Sequence, residues 1–421
     1  MSERWGKAEG WPPIPGRMRN TKLATICLLA TGLLSSSSLL AVARDGFAMT
    51  LEGEILQGAI ESIDGSGRVS MGGRLVDLEA LRYIAPAQSP DDEAPPEADE
   101  SPLRIILVCG SDLRARDLAF EDESFVFDSA SAAKRLEIPV DSVRAVRLAL
   151  PIEGSRFEQT LRLEADQRKE DTVYVTGVAG ELLELNCLIE NISAESVSFD
   201  RNGKKETIAR DKIHGVILAS PDLDEPMPCR AIMDDRSSFA GKVASLAGGT
   251  LRLLMIDGIE IELPWENLNR LRIYSPRLVS VAELDPEEIK TQAILAPKWK
   301  FQRNRSVSGN ELTIGETVFD QGLGLAAGME ITYRLDGDFD LFTASIGIDA
   351  ETRRRGDCEF VMHGDGREIF RQRVRGDDEA KLIRVDVSGV DELVLSVDPG
   401  IDLDISDHAN WAEASLLQGA N

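Results

Sequence analysis

Histidine, cysteine and aromatic residues are scarce in this sequence, and each shortage excludes a class of chemistry. The three histidines, His214, His363 and His408, stand beside no serine or cysteine in a nucleophile arrangement. The five cysteines, Cys27, Cys109, Cys187, Cys229 and Cys358, are scattered and form no C-x-x-C pair. That argues against a zinc ribbon and against a disulfide scaffold. Cys109, Cys187, Cys229 and Cys358 read as small buried apolar residues, with a Cys187–Cys229 bridge open in an oxidising compartment. The glycine-rich stretch "GSGRVSMGG" at Gly65–Gly73 lacks the lysine of a phosphate loop. Cations are also in deficit: 47 Lys and Arg against 73 Asp and Glu leave a net charge of −26. Such a chain repels phosphate backbones, so nucleic acid is excluded as the expected partner.

What is present begins with a leader. Arg17, Arg19 and Lys22 precede the apolar run Leu23–Leu34, and Ser35–Ser38 and Ala41-Val42-Ala43 follow. A charged start, an apolar run and an A-x-A site make a secretory signal. The run is short for a membrane span. Residues 1–44 are therefore expected to be a signal peptide cleaved after Ala43, with an N-terminal anchor as the alternative and no other membrane contact. Met1 and Met18 are both candidate starts. The expected location is exported: periplasmic, cell-surface or extracellular.

At 421 residues the chain is long enough for several domains. Four segments end alike: "VDLEALRYIAP" at Val76–Pro86, "IPVDSVRAVRLALP" at Ile138–Pro151, "IARDKIHGVILASP" at Ile208–Pro221 and "LPWENLNRLRIYSP" at Leu263–Pro276. Upstream of them lie strand–turn–strand patterns, about Gly72-Gly73, Asn202-Gly203 and Asp257-Gly258. Each unit reads as about five short strands with one helical turn before the last, a small barrel of SH3-like or Sm-like pattern. The expected boundaries are 45–86, 102–151, 172–221 and 229–276, with the second unit least regular. Spacer or protein-contact modules are the expected role. Residues 87–101 are proline-rich and acidic, an extended linker. "RFEQTLRLEADQRKED" at Arg156–Asp171 fits a short helix or a charged strand and turn. His214 falls in the repeat turn, at the surface or partly buried.

From about Ala296 glycine and aspartate punctuate short apolar strands: Met329–Leu335, Phe339–Asp349, Cys358–Asp365, Glu368–Val374, Lys381–Gly389 and Asp391–Gly400. Strands of that length with turns between them predict an antiparallel β-sandwich over 296–421. The whole chain is thus expected to be all-β, with a sandwich following an array of small barrels.

The stretches "FDQGLGLAAGMEITYRLDGDFDLFTASIGID", "CEFVMHGDGREIF", "VDVSGVDELVLSVDPG" and "DHANWAEASL" resemble, in order and spacing, the NPCBM family of carbohydrate-binding modules associated with glycoside hydrolases. The resemblance implies a jelly-roll-like sandwich and, for some members, galactose-type sugars and a structural calcium. Two departures stand out. Leu325-Ala326-Ala327-Gly328 replaces the usual histidine and serine, and Asn410 stands where aspartate is usual.

Sugar binding needs an aromatic face and a few planar polar groups. Trp411, Asp407, His408 and Asn410 supply these near the end of the chain, with Tyr333 and Arg367 as further contacts. Strand alternation puts Trp411 and Glu413 on one face and Ala412 and Ala414 on the other. Equally, Trp411 can plug the base of the sandwich while Asp407 caps the loop. Asp365-Gly366 reads as a plain hairpin turn. Asp398, Asp402, Asp404 and Asp407 lie close together in sequence. Asp398, Asp402 and Asp404 are candidate Ca2+ ligands, or members of a solvated acidic loop. Nothing resembles a hydrolase domain, so no enzyme is expected. The expected function is a non-catalytic glycan-binding protein. The alternative is a structural or protein-interaction protein of the cell envelope whose sandwich has lost sugar binding.

Overall fold

A computed structural model describes residues 44–87, 102–152, 154–161, 169–178, 180–219, 226–292, 299–353, 355–400 and 403–419. The expected leader lies outside these residues but for Arg44, as does all of the acidic linker but Ala87. The described chain is all-β and divides into two compact units, residues 44–50 with 55–274, and residues 51–54 with 275–419.

In the first unit one strand path occurs repeatedly. Arg44–Thr50 pairs with Ile55–Ile63, which pairs with Arg68–Met71 and through it with Arg74–Asp77. A 3-10 turn, Leu78–Ala80, then delivers Leu81–Pro86 back to pair with Arg44–Thr50. The same path runs from Asp171–Thr176 to Ile213–Ile217 and from Cys229–Met233 to Leu268–Ile273. The segment 104–147 departs from it. Its Arg116–Glu121, Ser124–Asp128 and Leu136–Pro139 strands form a separate three-stranded sheet. Alternation sets which side chains enter the core: along Thr250–Leu254, Leu251 and Leu253 are buried while Arg252 and Leu254 face out. The hairpin turn at Asn202-Gly203 holds both residues at positive φ, 55° and 79°, as a twisted two-residue turn requires.

The last strand of each repeat is an inter-repeat seam. Ile84 pairs with Leu271, and Val146 pairs with Val216. Leu81–Pro86 and Ile213–Ile217 are buried along their whole length. Arg156–Leu161 is a helix, which resolves the helix-or-strand alternative for its described part. Its Phe157 lies where any side chain on Gly215 would go, and its Glu158 faces Arg147 at 3.4 Å and His214 Nε2 at 3.8 Å. His214 is 1% exposed, inside Ile213–Ile217. That corrects its expected place in a surface or partly buried turn: the strand begins one residue earlier and both its faces are covered. Cys109, Cys187, Cys229 and Cys358 are buried and unbridged, so the Cys187–Cys229 pairing does not form.

The second unit is two facing antiparallel sheets. One has the order Gln302–Arg303, Gly322–Ala326, His408–Gln418, Phe339–Ile348, Lys381–Asp386, with Leu278–Ser280 also on His408–Gln418. The other has the order Glu288–Thr291, Met329–Arg334, Glu392–Pro399, Asp357–Gly364, Arg367–Arg375. The sandwich therefore takes in two strands ahead of its expected start at 296. Trp411 joins the sheets, its ring 5.9 Å from Phe342 in its own sheet and 5.0 Å from Phe360 in the other. Asp365-Gly366 is a hairpin turn with φ of 50° and 73°.

The closing strand, His408–Gln418, is covered on both faces. A bulge at Glu413, φ 50°, breaks the alternation, so Trp411, Ala414 and Leu416 all point into the sandwich core. Ala412 packs outward against Leu312, Ile314 and Phe319 of a small hairpin. Ile314 fills the space a side chain on Gly347 would need. The expected sharing of a face by Trp411 and Glu413, with Ala412 and Ala414 opposite, is thereby corrected.

Candidate carbohydrate-binding site

At the start of the closing strand three segments bring polar side chains together beside an aromatic ring. The first is Trp299–Asn310. It lies against Gly324 so closely that a side chain there would strike the main chain of Arg305 and Val307. The second is the 3-10 turn Ala350–Thr352, whose N-cap is Asp349. An aspartate there accepts the turn's free N–H, here Glu351 N at 2.9 Å. The third is His408 itself.

Glu351 is the meeting point. Its Oε1 is 2.6 Å from His408 Nδ1. Its Oε2 accepts from Asn310 Nδ2 at 2.8 Å and from Ser306 Oγ at 3.2 Å. Ser308 Oγ lies 3.4 Å from His408 Nδ1. The Trp299 and His408 rings meet edge to face at 5.1 Å. Burial pushes the Glu351 carboxyl up, but the donors Asn310, His408 and Ser308 outweigh it and hold it below its usual range. The His408 and Glu351 side chains are 18% and 17% exposed, and Ser308 and Asn310 are exposed. A fixed carboxylate, an imidazole, an amide and a hydroxyl next to an indole can exchange hydrogen bonds with vicinal hydroxyls while the ring covers an apolar face.

Residues 279–417 match the NPCBM/NEW2 domain. Over 113 residues the chain is also 30% identical to a Renibacterium salmoninarum protein whose description names an endo-alpha-N-acetylgalactosaminidase, covering 27% of this chain and 8% of that protein. Among solved structures it is similar to the CBM51 of Clostridium perfringens GH95 in complex with methyl-galactose. There the identity is 28%, covering 33% of this chain and all but 1% of that one (99%), at a TM-score of 0.31. It is similar also to CBM51-2 with INT domains of Clostridium perfringens ZmpB, in complex with GlcNAc. There the identity is 22%, over 40% of this chain and 36% of that one, at a TM-score of 0.32.

Of the residues singled out from the sequence, the NPCBM domain places only His408 at this rim. Trp411 is 0% exposed and Tyr333 is 1% exposed, both in the core. Neither can stack on a sugar, which corrects both expectations; burial pushes the Tyr333 hydroxyl up to about 12. Asp407 is buried and its Oδ1 accepts Asp357 N at 2.8 Å, the capping role read as the alternative. Asn410 is buried and donates to Asp349 Oδ2 at 2.5 Å. Arg367 is exposed at the Gly364 end of the Asp357–Gly364 strand, opposite the Asp357 end that meets Asp407. Seven residues of strand put it roughly 23 Å away, so it joins no site with His408.

The described residues of the acidic loop bring no cation site together. Asp398 Oδ2 accepts from Arg371 Nη1 at 3.1 Å, Asp404 is buried, and Asp402 lies outside the described residues. Among the described residues no three His, Cys, Asp or Glu side chains converge as metal ligands. Asp398 and Asp404 belong to no such group, and the third expected Ca2+ ligand, Asp402, falls outside the described residues.

Trp299, Ser308, Asn310 and Glu351 were not singled out from the sequence. Asp349 at the end of an apolar strand is an N-cap residue type, and it was the one local signal available.

Proposed function

We propose that the NPCBM domain is a non-catalytic glycan-binding module that takes galactose-type sugars at Trp299, Ser308, Asn310, Glu351 and His408. The observation that carries this reading is Glu351, held charged between His408 and Asn310 beside a half-buried indole. The domain match supports a saccharide as the ligand class. The galactose class rests on the family resemblance, and the described relative's name points the same way. Contact would be shallow, with affinity on the order of 1 mM to 1 µM. The leader supports an exported protein. The repeated strand path of residues 44–274 supports SH3-like barrels serving as spacers or protein contacts.

The second reading, an envelope protein whose sandwich has lost sugar binding, is favoured by the burial of Leu325, Ala326 and Ala327. These apolar side chains stand where the family carries histidine and serine.

Calorimetric titration of the full chain with methyl-galactoside, N-acetylgalactosamine and glucose separates the two. Saturable binding of a galacto-configured sugar, lost in Trp299→Ala, supports the first. No binding across the panel supports the second.

A further inference from the structure

We infer that Asp349 is the positioning residue of the glycan site, fixing Glu351 and His408 without touching the ligand. The inference rests on the reading of the rim as a glycan site. Three chain segments carry the rim groups, and Asp349 bonds to the 3-10 turn, to the closing strand and to Thr313 just beyond the first segment. Its Oδ1 accepts Glu351 N at 2.9 Å on the 3-10 turn. Its Oδ2 accepts Thr313 N at 3.1 Å, three residues beyond Asn310. The same oxygen accepts Asn410 Nδ2 at 2.5 Å on the closing strand. Its main-chain N donates to His408 O at 2.7 Å. The carboxylate is 2% exposed, so these bonds hold in a setting where water does not compete.

The donor count explains the residue types. An ionised carboxylate only accepts, and here three N–H groups point at one. An asparagine at 349 would turn an NH2 group toward N–H donors. An aspartate at 410, the residue the family resemblance leads one to expect, would press a second carboxylate against the first, and two such groups do not both ionise. Asn410 is therefore the complement of Asp349. The unexpected amide in the sequence is part of the support for the site rather than a loss from it. Displacing Asp349 frees the 3-10 turn, so Glu351 no longer meets His408 Nδ1.

The test uses Asp349→Asn, Glu351→Gln and the double variant in the full chain, each titrated with methyl-galactoside. In parallel, long-range imidazole 1H–15N spectra are recorded; only three histidines are present, and single His→Gln variants assign them. The expected result is at least a tenfold loss of affinity in Asp349→Asn and a displaced His408 signal with His214 and His363 unmoved. The double variant should bind no more weakly than Glu351→Gln, because a positioning residue has nothing left to position. Wild-type affinity in Asp349→Asn, an unmoved His408 signal, or losses that simply add would overturn it. If Asp349→Asn fails to fold, Asn410→Ala removes one of the three donors and undergoes the same measurements with the same criteria. If the parent chain binds no sugar, the glycan reading fails by itself. The His408 signal then decides this inference, displaced in its favour and unmoved against it.

Discussion

His408 and Glu351 meet at 2.6 Å although 57 positions separate them in the chain, and this contact organises the polar rim of the sandwich. Each side chain is fixed from behind by a different strand end, so both are presented in one orientation. Preorganised groups of this kind bind without first losing rotamer freedom.

Replacing Glu351 with Gln should weaken sugar binding about tenfold to a hundredfold, within the cost of a charged hydrogen bond removed from a site. Thermal stability at neutral pH should also fall, because an amide cannot replace the charged acceptor of Asn310, Ser306 and His408. Titration and calorimetry on one preparation check both.

The same carboxyl predicts an acid limit. Its folded value lies below its usual one, so its stabilising contribution is fully present above the ordinary carboxylate range. The contribution disappears as pH falls through the depressed folded value. Stability of the wild type minus that of Glu351→Gln, followed from pH 7 down to pH 3, should be flat at first and then shrink. A difference that grows on acidification would contradict the assignment.

Two tryptophans should behave differently. Trp411→Ala removes the ring that joins the sheets and should cost about 3–5 kcal/mol of stability. Trp299→Ala, at a half-buried ring packed on the edge of that core, should cost less stability than Trp411→Ala and abolish sugar binding. Denaturant unfolding and titration of both variants distinguish the core ring from the rim ring.

In the N-terminal unit, Glu158→Ala should cost about 3 kcal/mol, since it withdraws a carboxylate from Arg147 and His214 in a buried cluster. Gly215→Ala should also destabilise, by about 1–3 kcal/mol, because the added methyl collides with Phe157. Denaturant midpoints measure both.

Much of the sandwich was legible in the sequence. Met329–Arg334, Asp357–Gly364 and Glu392–Pro399 are strands because apolar runs end at Asp-Gly and Pro-Gly punctuation, and Phe339–Ile348 ends at the Asp349 cap, all of it local information. For Trp411 the sequence left a rim role and a plug at the base of the sandwich both open, and the structure makes it the plug. Period two gives two faces but not which of them is covered, and here the small hairpin through Ile314 covers the second while Glu413 breaks the period. The Trp299–Ser308–Asn310–Glu351–His408 group was illegible for a related reason. Its members share no motif and meet only through long-range strand pairing. His214 was misplaced because the side chains it meets, Phe157 and Glu158, come from a helix far from it in sequence.

The central claim is that the rim around Glu351 holds a saccharide. Its most direct test is a titration of the full chain with methyl-galactoside, run beside Trp299→Ala and Trp411→Phe. The account predicts saturable binding that vanishes in Trp299→Ala and persists in Trp411→Phe. Binding that survives Trp299→Ala, or no binding by the wild type at ~10 mM sugar, well above the weakest affinity such a site should show, would contradict it.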